Sequence, residues 1–353
     1  MMIHRRINNR IVKTKTLLID GEVLLKIGFF ATRNTITVRG RVYTAFNFLN
    51  TIRKFYMDYA ITKVVVFWEG DNSRAYRQSY YPYYKANRDA FYNLTDDEFS
   101  DLQRQRRRIR QYLEELYIRQ IQEEDSEADD CIAYYTQHSP NEHKIIFTND
   151  KDLLQLLSDN TDVYLADPSR KFLVTMKNFH QHFPYHHRNV ALIKMIGGDP
   201  ADNISGIEGI AEITVLKLFP ELKTEEKNVD WVRERAQQLL TEQPNNNAVT
   251  KIVDGQTKWG TYGEDYFAVM KNIISLEPPH LTPEGIEDLE MIKDAAIDPE
   301  GRGGVRKVLT MFLEDGIRIN NSNDDEAFFE YWQPFNTIIK KEQDYYKQSQ
   351  LTY

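Results

Sequence analysis

Cysteine is all but missing from this chain of 353 residues: Cys131 stands alone. One thiol cannot close an internal disulfide, so a packed core must hold the fold, and a reducing compartment fits that usage. Long apolar runs are missing too. No stretch approaches the roughly 18 apolar residues of a membrane span, and "LLIDGEVLLKIGFF" is interrupted by Asp20, Glu22 and Lys26. The basic start "MMIHRRINNRIVKTK" is followed by neither an apolar h-region nor a small-residue cleavage site, which argues against a signal peptide. A cytoplasmic protein with no membrane partner is expected. There is no internal repeat, and nothing of low complexity extends beyond "PNNN". An excess of positive charge is also lacking. The net charge is −8, and that sum speaks against a nucleic-acid partner. The distribution says otherwise. Basic residues gather in "RAYRQSYYPYYKANRD" and "RQRRRIRQ", whereas acids form short clusters that a metal can neutralise.

What is present is an alternation of strands and helices. "TLLID" (16–20), "KVVVFWEG" (63–70), "KIIFTND" (144–150) and "TDVYLAD" (161–167) run apolar into an acid, as buried parallel strands do. The helical patterns "YTAFNFLNTIRKFYMDYA" (43–60), "EADDCIAYYTQH" (127–138) and "KDLLQLLSD" (151–159) lie between them. The alternation predicts an α/β fold with a mostly parallel central sheet flanked by helices. Segment 85–122 is charged and poor in strand signal. Its "DDEFSDLQRQRRRIRQYLEELYIRQI" reads as one helix, and the polar approach to it suits an arch or lid standing away from the core. From 189 the pattern turns helical, with "SGIEGI" as a Gly-rich turn between two helices. The expected division is an α/β core over 1–188 that includes the arch at about 85–122, a helical region over 189–290, and a helical extension over 291–353 to which no task can be given.

The acids are placed unusually. "EEDSEADDCIAYY" (123–135) packs six carboxylates into eight positions before turning apolar. The plain explanation is a helix start, with Ser126 as its cap and Asp129 or Asp130 in its first turn. Yet the other strands deliver acids at the same end: Asp20 after the first, Glu69 or Asp71 after the second, Asp150 and Asp152 after the next. Glu127, Asp129 and Asp130 open a helix that packs on the sheet. Asp199 and Asp202 lie in "GGDPADN", where Gly197 and Gly198 permit close approach. Open parallel sheets bind ligands at the carboxyl ends of their strands. Any one of these acids can be a cap, a turn or a surface charge; the shared end is what points to a cleft. Crowded carboxylates raise one another's pKa, and divalent cations relieve that. Hard oxygen donors suit Mg²⁺ or Mn²⁺, and ions about 3.5–4 Å apart serve phosphodiester hydrolysis.

Five blocks then stand in a recognisable order: "LLIDGEVLL", "VVVFWEGDNSRAYRQSYYPYYKANRD", "EEDSEADDCIAYY", "IIFTNDKDLLQLLSDN" and "IGGDPADNISGIEGIAEITVLKLF". Over roughly residues 16–220 the chain resembles the 5′-nuclease (flap endonuclease) family. The likeness is to its stand-alone bacteriophage members and to the 5′-nuclease domain of bacterial DNA polymerase I. "FAVMKNIISLEPP" (267–279) is similar to the family's closing helix. The resemblance implies a PIN-like 5′-nuclease fold with a helical arch and a helix–three-turn–helix. It implies two Mg²⁺ or Mn²⁺ ions, held on one side by Asp20, Glu127, Asp129 and Asp130 and on the other by Asp150, Asp152, Asp199 and Asp202. Arg77, Lys85 and Arg88 match basic residues at the foot of the arch that stabilise charge on the transferring phosphate. Tyr84 is placed to stack on a base near the 5′ end. Arg104, Arg106, Arg107 and Arg108 fall where the arch clamps single-stranded DNA. Gly206, Gly209 and Ala211 fall in the turn that holds duplex backbone, where a K⁺ ion is implied.

Three departures from the family pattern stand out. The second-strand acid is Glu69 or Asp71, the hairpin carries Ala211 and Ile213 where glycine and lysine are usual, and Glu208 adds a negative charge. Weaker grip on backbone by the hairpin is expected. The function implied is metal-dependent hydrolysis near 5′ ends, flaps or junctions of DNA, RNA–DNA hybrids of primers included, in replication and repair. A monomer is expected, acting beside replication proteins and separate from any polymerase, whose motifs are missing. Competing readings are a catalytically silent junction-binding relative and a PIN-like ribonuclease. A zinc site in "FHQHFPYHHR" (His180, His182, His186, His187) lacks cysteine partners and compact spacing.

Overall fold

The computed structural model describes residues 14–32, 43–87, 94–167, 169–317 and 325–351. Its centre is a six-stranded sheet of Lys15–Asp20 (β1), Lys63–Trp68 (β2), Arg119–Gln122 (β3), His143–Thr148 (β4), Thr161–Ala166 (β5) and Lys171–Val174 (β6). The strand order is β3-β2-β1-β4-β5-β6. Neighbours are parallel except for β5 and β6, which pair antiparallel.

Alternate side chains leave a strand on opposite faces, and here both faces are covered. Leu18, Val65, Phe67, Ile121, Ile146 and Val163 enter one apolar cluster, which continues into the helix Ala128–Gln137 and the helical region up to Leu289. Leu17, Ile19, Val64, Val66, Ile145 and Phe147 enter the other. That second cluster takes in the helices Gly21–Ala31, Tyr43–Tyr59, Asp96–Glu115, Gly304–Glu314 and Asp325–Gln350. The C-terminal extension is therefore part of the layer that backs the sheet, through Val308, Phe312, Trp332, Phe335 and Ile338.

The polar approach expected to stand clear of the core falls largely on residues outside those described, and the helix that follows it packs on the body. The helix Asp96–Glu115 begins at a capping box formed by Thr95 and Glu98 and buries Leu102, Ile109, Tyr112 and Leu113. It stops short of the expected end. Tyr117 adopts a left-handed conformation, φ 58°, which a continuing α-helix excludes. "RQIQ" then forms β3, with alternating burial. Strands β3 and β6 were not legible as strands; the other four were. Among the described residues no helix is long and apolar enough to cross a membrane.

Candidate metal centre

Parallel β1, β2 and β4 open their carboxyl ends along one edge of the sheet. Asp20 closes β1 and caps the next helix, accepting from Val23 N at 3.0 Å. Glu69 follows β2, Asp150 follows β4, and Asp129 comes from the first turn of the helix Ala128–Gln137. These four acids and Lys85 line one cavity of about 480 Å³. Asp150 is also a wall of a neighbouring cavity of about 640 Å³, with Lys194, Asp199 and Asp202. Asp150, Asp152 and Asp202 each bring a carboxylate oxygen within 4.8 Å of the others. Asp71, by contrast, is exposed and lines a third cavity, with Glu22, Arg74 and Arg106, that Glu69 also borders. Of the two candidates after β2, Glu69 is the one brought to the other acids.

The acids are short of counter-charge. Burial, with Glu69 close by, pushes Asp20 up to about 7 although Val23 N–H favours its charged form. Burial and the charges of Asp150 and Asp20 push Asp129 well above the usual carboxylate range. Asp152 is raised to about 7 by burial, with Lys194 pulling against it and Asp150 and Asp202 adding to the rise. Lys194 lies 2.6 Å from Asp199, contacts Asp152 and is 3.9 Å from Asp150. Burial would raise Asp199 as well, but this ammonium holds it below its ordinary value. Sequence reasoning missed Lys194. A lone lysine in "ALIKMIGG" carries no local signal, and only the fold turns it onto the acids.

Glu127 and Asp130 are neutralised differently. Arg77 is buried and donates to both oxygens of Asp130, at 2.6 and 2.9 Å, to Ile273 O at 2.8 Å, and sits 3.1 Å from Glu127. His280 N donates a further bond to Asp130, 2.9 Å. Glu127 also accepts from Lys85 Nζ at 2.7 Å and from the Tyr84 hydroxyl at 2.8 Å. Burial alone would raise Glu127, yet Lys85 and Arg77 hold it at about 2. Two expectations change here. Arg77, matched to the phosphate-contacting group, is buried and committed to internal partners. The ring of Tyr84 is buried under Arg77 and Lys85, so no base can stack on it. Ser126 is not the helix cap either: Glu127 holds that position, and Ser126 Oγ donates to His280 O.

Of the remaining basic candidates, Arg88 lies outside the described residues. Arg104 pairs with Asp101 on its own helix. Arg106 pairs with Glu22 at 2.7 Å and lies over the Trp68 ring, and Arg108 pairs with Asp315 and Glu314. Arg107 alone of the four is exposed without such a partner among the described residues. The run expected to clamp DNA mainly fastens its helix to the body.

In the Gly-rich turn, Gly198 and Gly206 have φ of 79° and 61°. A Cβ on Gly206 would fall 2.3 Å from Gly198 N, so only glycine permits this crossing of the chain. Gly209, φ 75°, has open space where a Cβ would point, and Ala211 is the N-cap of the helix Glu212–Leu218. Glu208 does not add an uncompensated charge, because Lys251 pairs with it at 2.9 Å.

Clustered carboxylates without histidine or cysteine are a hard-oxygen donor set, which fits divalent cations. His180, His182, His186 and His187 form no such group among the described residues.

Comparison with known proteins agrees with this geometry. The profile described as "5′-3′ exonuclease, N-terminal resolvase-like domain" matches residues 15–184. The chain is similar to a 5′-3′ exonuclease of Bacillus subtilis, 34% identical over 218 residues, covering 60% of this chain and 71% of that protein. A 5′-3′ exonuclease of Halalkalibacterium halodurans is 29% identical over 219 residues, covering 59% and 70%. In fold, the chain is similar to the T5 D15 protein co-crystallised with metal ions, with a TM-score of 0.55 at 18% identity over 85% of this chain and 97% of that one.

Proposed function

The chain belongs to the 5′-3′ exonuclease family, and from that premise we propose that it is a divalent-metal-dependent 5′-nuclease hydrolysing phosphodiesters of DNA. The observation that carries this reading is the wall of acids around Asp150, which joins the two cavities. Asp20, Glu69, Asp129 and Asp150 would hold one Mg²⁺ or Mn²⁺; Asp150, Asp152, Asp199 and Asp202 would hold a second. Bound ions supply counter-charge and Lewis acidity toward a phosphate oxygen and the attacking water. Lys85 lines the acid cavity and is steadied by Glu127. It is the cation placed to meet charge that develops on a transferring phosphoryl group.

Arg77 and Asp130 act one layer behind. Their bidentate pair, with Tyr84, fixes Glu127, and Glu127 fixes Lys85. In this reading Asp130 is not a metal ligand, since Arg77 and His280 N–H occupy its oxygens. Lys194 supplies counter-charge to the second set of acids while no ion is bound.

Residues 189–290 would carry the duplex, with the turn at Gly209 open to phosphate backbone and a K⁺ ion as its partner. Residues 291–353 would serve the core rather than a separate task, which their burial against the sheet's back layer supports. Natural substrates would be 5′ flaps or primer ends. The test is incubation with a 5′-labelled flap duplex in Mg²⁺, in Mn²⁺ and in EDTA, with products sized. Metal-dependent cutting at the branch supports a flap endonuclease, and mono- or dinucleotides support an exonuclease. Tight binding without product in either metal would leave the silent junction-binding reading instead.

A further inference from the structure

We propose that Tyr83, Trp259 and Lys258 form a platform that receives an unstacked nucleobase and its phosphate beside the acid cavities. The proposal rests on the reading of the substrate as nucleic acid. Trp259 is 40% exposed and Tyr83 37%, whereas Trp68 and Trp332 are buried. A single exposed aromatic residue needs no explanation. This pair is built.

The two rings stack with centroids 4.1 Å apart and planes 10° from parallel. Trp259 sits in the turn of a small hairpin, Gln256–Thr257 with Gly260–Thr261, and its N–H donates to Thr257 Oγ1 at 3.1 Å. The hairpin is tied to the Gly-rich turn by Lys258 N, which donates to Ser205 Oγ at 3.2 Å. On the other side, Tyr83 O accepts from Asn203 Nδ2 at 2.8 Å, and Lys85 N donates to Asp202 O at 2.9 Å. The ring stack thus joins the strap that carries Lys85 to the turn proposed to meet duplex backbone.

Lys258 supplies the charge. Its ammonium lies 4.4 Å from the indole centroid and has no acidic partner among the described residues. The acid at the neighbouring turn, Glu208, is already paired with Lys251. Rigid aromatic rings with an adjacent free cation are the equipment of single-strand recognition, where a base stacks and its phosphate is neutralised. Inside a duplex a base has both faces covered, so the ligand is an unpaired or terminal base.

The test is titration of the full chain in EDTA, where no cleavage can occur, with a thymidine oligonucleotide and with an abasic oligonucleotide of equal length. Binding is read by anisotropy of the labelled strand and by tryptophan emission. The oligothymidylate should quench emission in the wild type, and that change should vanish in Trp259→Phe. Trp259→Ala should raise the Kd for oligothymidylate roughly tenfold and leave the abasic strand unaffected. Lys258→Gln, an exposed substitution that cannot threaten folding, should lower the salt dependence of binding by about one phosphate contact. Equal Kd values for wild type and Trp259→Ala, or binding that leaves the emission of the wild type unchanged, overturns the platform. Failure of the wild type to bind either strand overturns the nucleic-acid reading along with it. Intact, Trp259-dependent binding in EDTA, with no cleavage of the same strand once Mg²⁺ or Mn²⁺ is added, would count against the nuclease reading alone.

Discussion

Replacing Arg77 separates two accounts of a residue whose sequence context suggests contact with phosphate. In the structure its guanidinium, 3% exposed, makes the paired bonds of 2.6 and 2.9 Å to Asp130, which is fully buried. Arg77→Met leaves Glu127 with Lys85 and Tyr84, but it leaves Asp130 with only the backbone N–H of His280. Breaking a buried pair by removing one partner costs about 3–5 kcal/mol. At about 2.1 cal/mol/K of unfolding entropy per residue, that lowers Tm by roughly 4–7 °C for a chain of this size. Arg77→Met/Asp130→Asn should recover most of the stability. The measurement is thermal and denaturant unfolding of the four members of this cycle. A variant Arg77→Met that is as stable as the wild type but inactive would refute the positioning account and restore the phosphate contact.

The metal-free protein should lose stability as pH rises from about 4 to 7, because Asp20 and Asp152, near 7 in the fold, must ionise against burial and like charge. Glu127, held near 2, works in the opposite sense, adding stability that is lost only as pH falls from about 4.5 toward 2. The rise in Tm on adding Mg²⁺ or Mn²⁺ should therefore be larger at pH 8 than at pH 6, with proton release visible by calorimetry at pH 6; a pH-independent shift would contradict this. Glu69→Gln should weaken Mn²⁺ binding and cleavage by roughly 10–100-fold or more, while Asp71→Asn, which faces another cavity, should stay within a few-fold of wild type on the order of ordinary surface changes; the reverse ranking in a metal titration would reassign the site. Lys194→Met should destabilise the metal-free protein yet lower the Mn²⁺ concentration needed for half-saturation, since no ammonium has to be displaced from Asp152 and Asp199; calorimetry showing weaker binding would refute its role as a stand-in charge.

Much of this was legible in the sequence because a parallel sheet buried on both faces writes continuous apolar runs. β1, β2, β4 and β5 are such runs, and each of the first three hands an acid to the same edge. β3 was hidden because it is four residues long, carries Arg119, and follows a strong helical pattern without a Gly or Pro to mark the break; the break is the backbone turn at Tyr117. The edge strand β6 is equally short. Among site residues, the acids showed themselves by position, but their division of labour did not. Nothing in "EADD" distinguishes Asp129, which faces the cavity, from Asp130, which faces Arg77 a helix away. Burial of the Arg77–Asp130 pair is completed by the segment around Ile273 and His280, 150 to 200 residues further on, and no local pattern reports it. The basic run at 104–110 misled for a related reason: its ion partners Glu22, Glu314 and Asp315 come from both ends of the chain.

The most direct test of the central claim is single-turnover cleavage of a 5′-labelled flap duplex across a range of Mg²⁺ or Mn²⁺ concentrations, with the wild type and Asp150→Asn side by side. Asp150 is the acid shared by the two cavities, so its amide should abolish cleavage while junction binding stays close to wild type. Cleavage by the wild type in EDTA, or full activity in Asp150→Asn, would contradict a metal centre built on these acids.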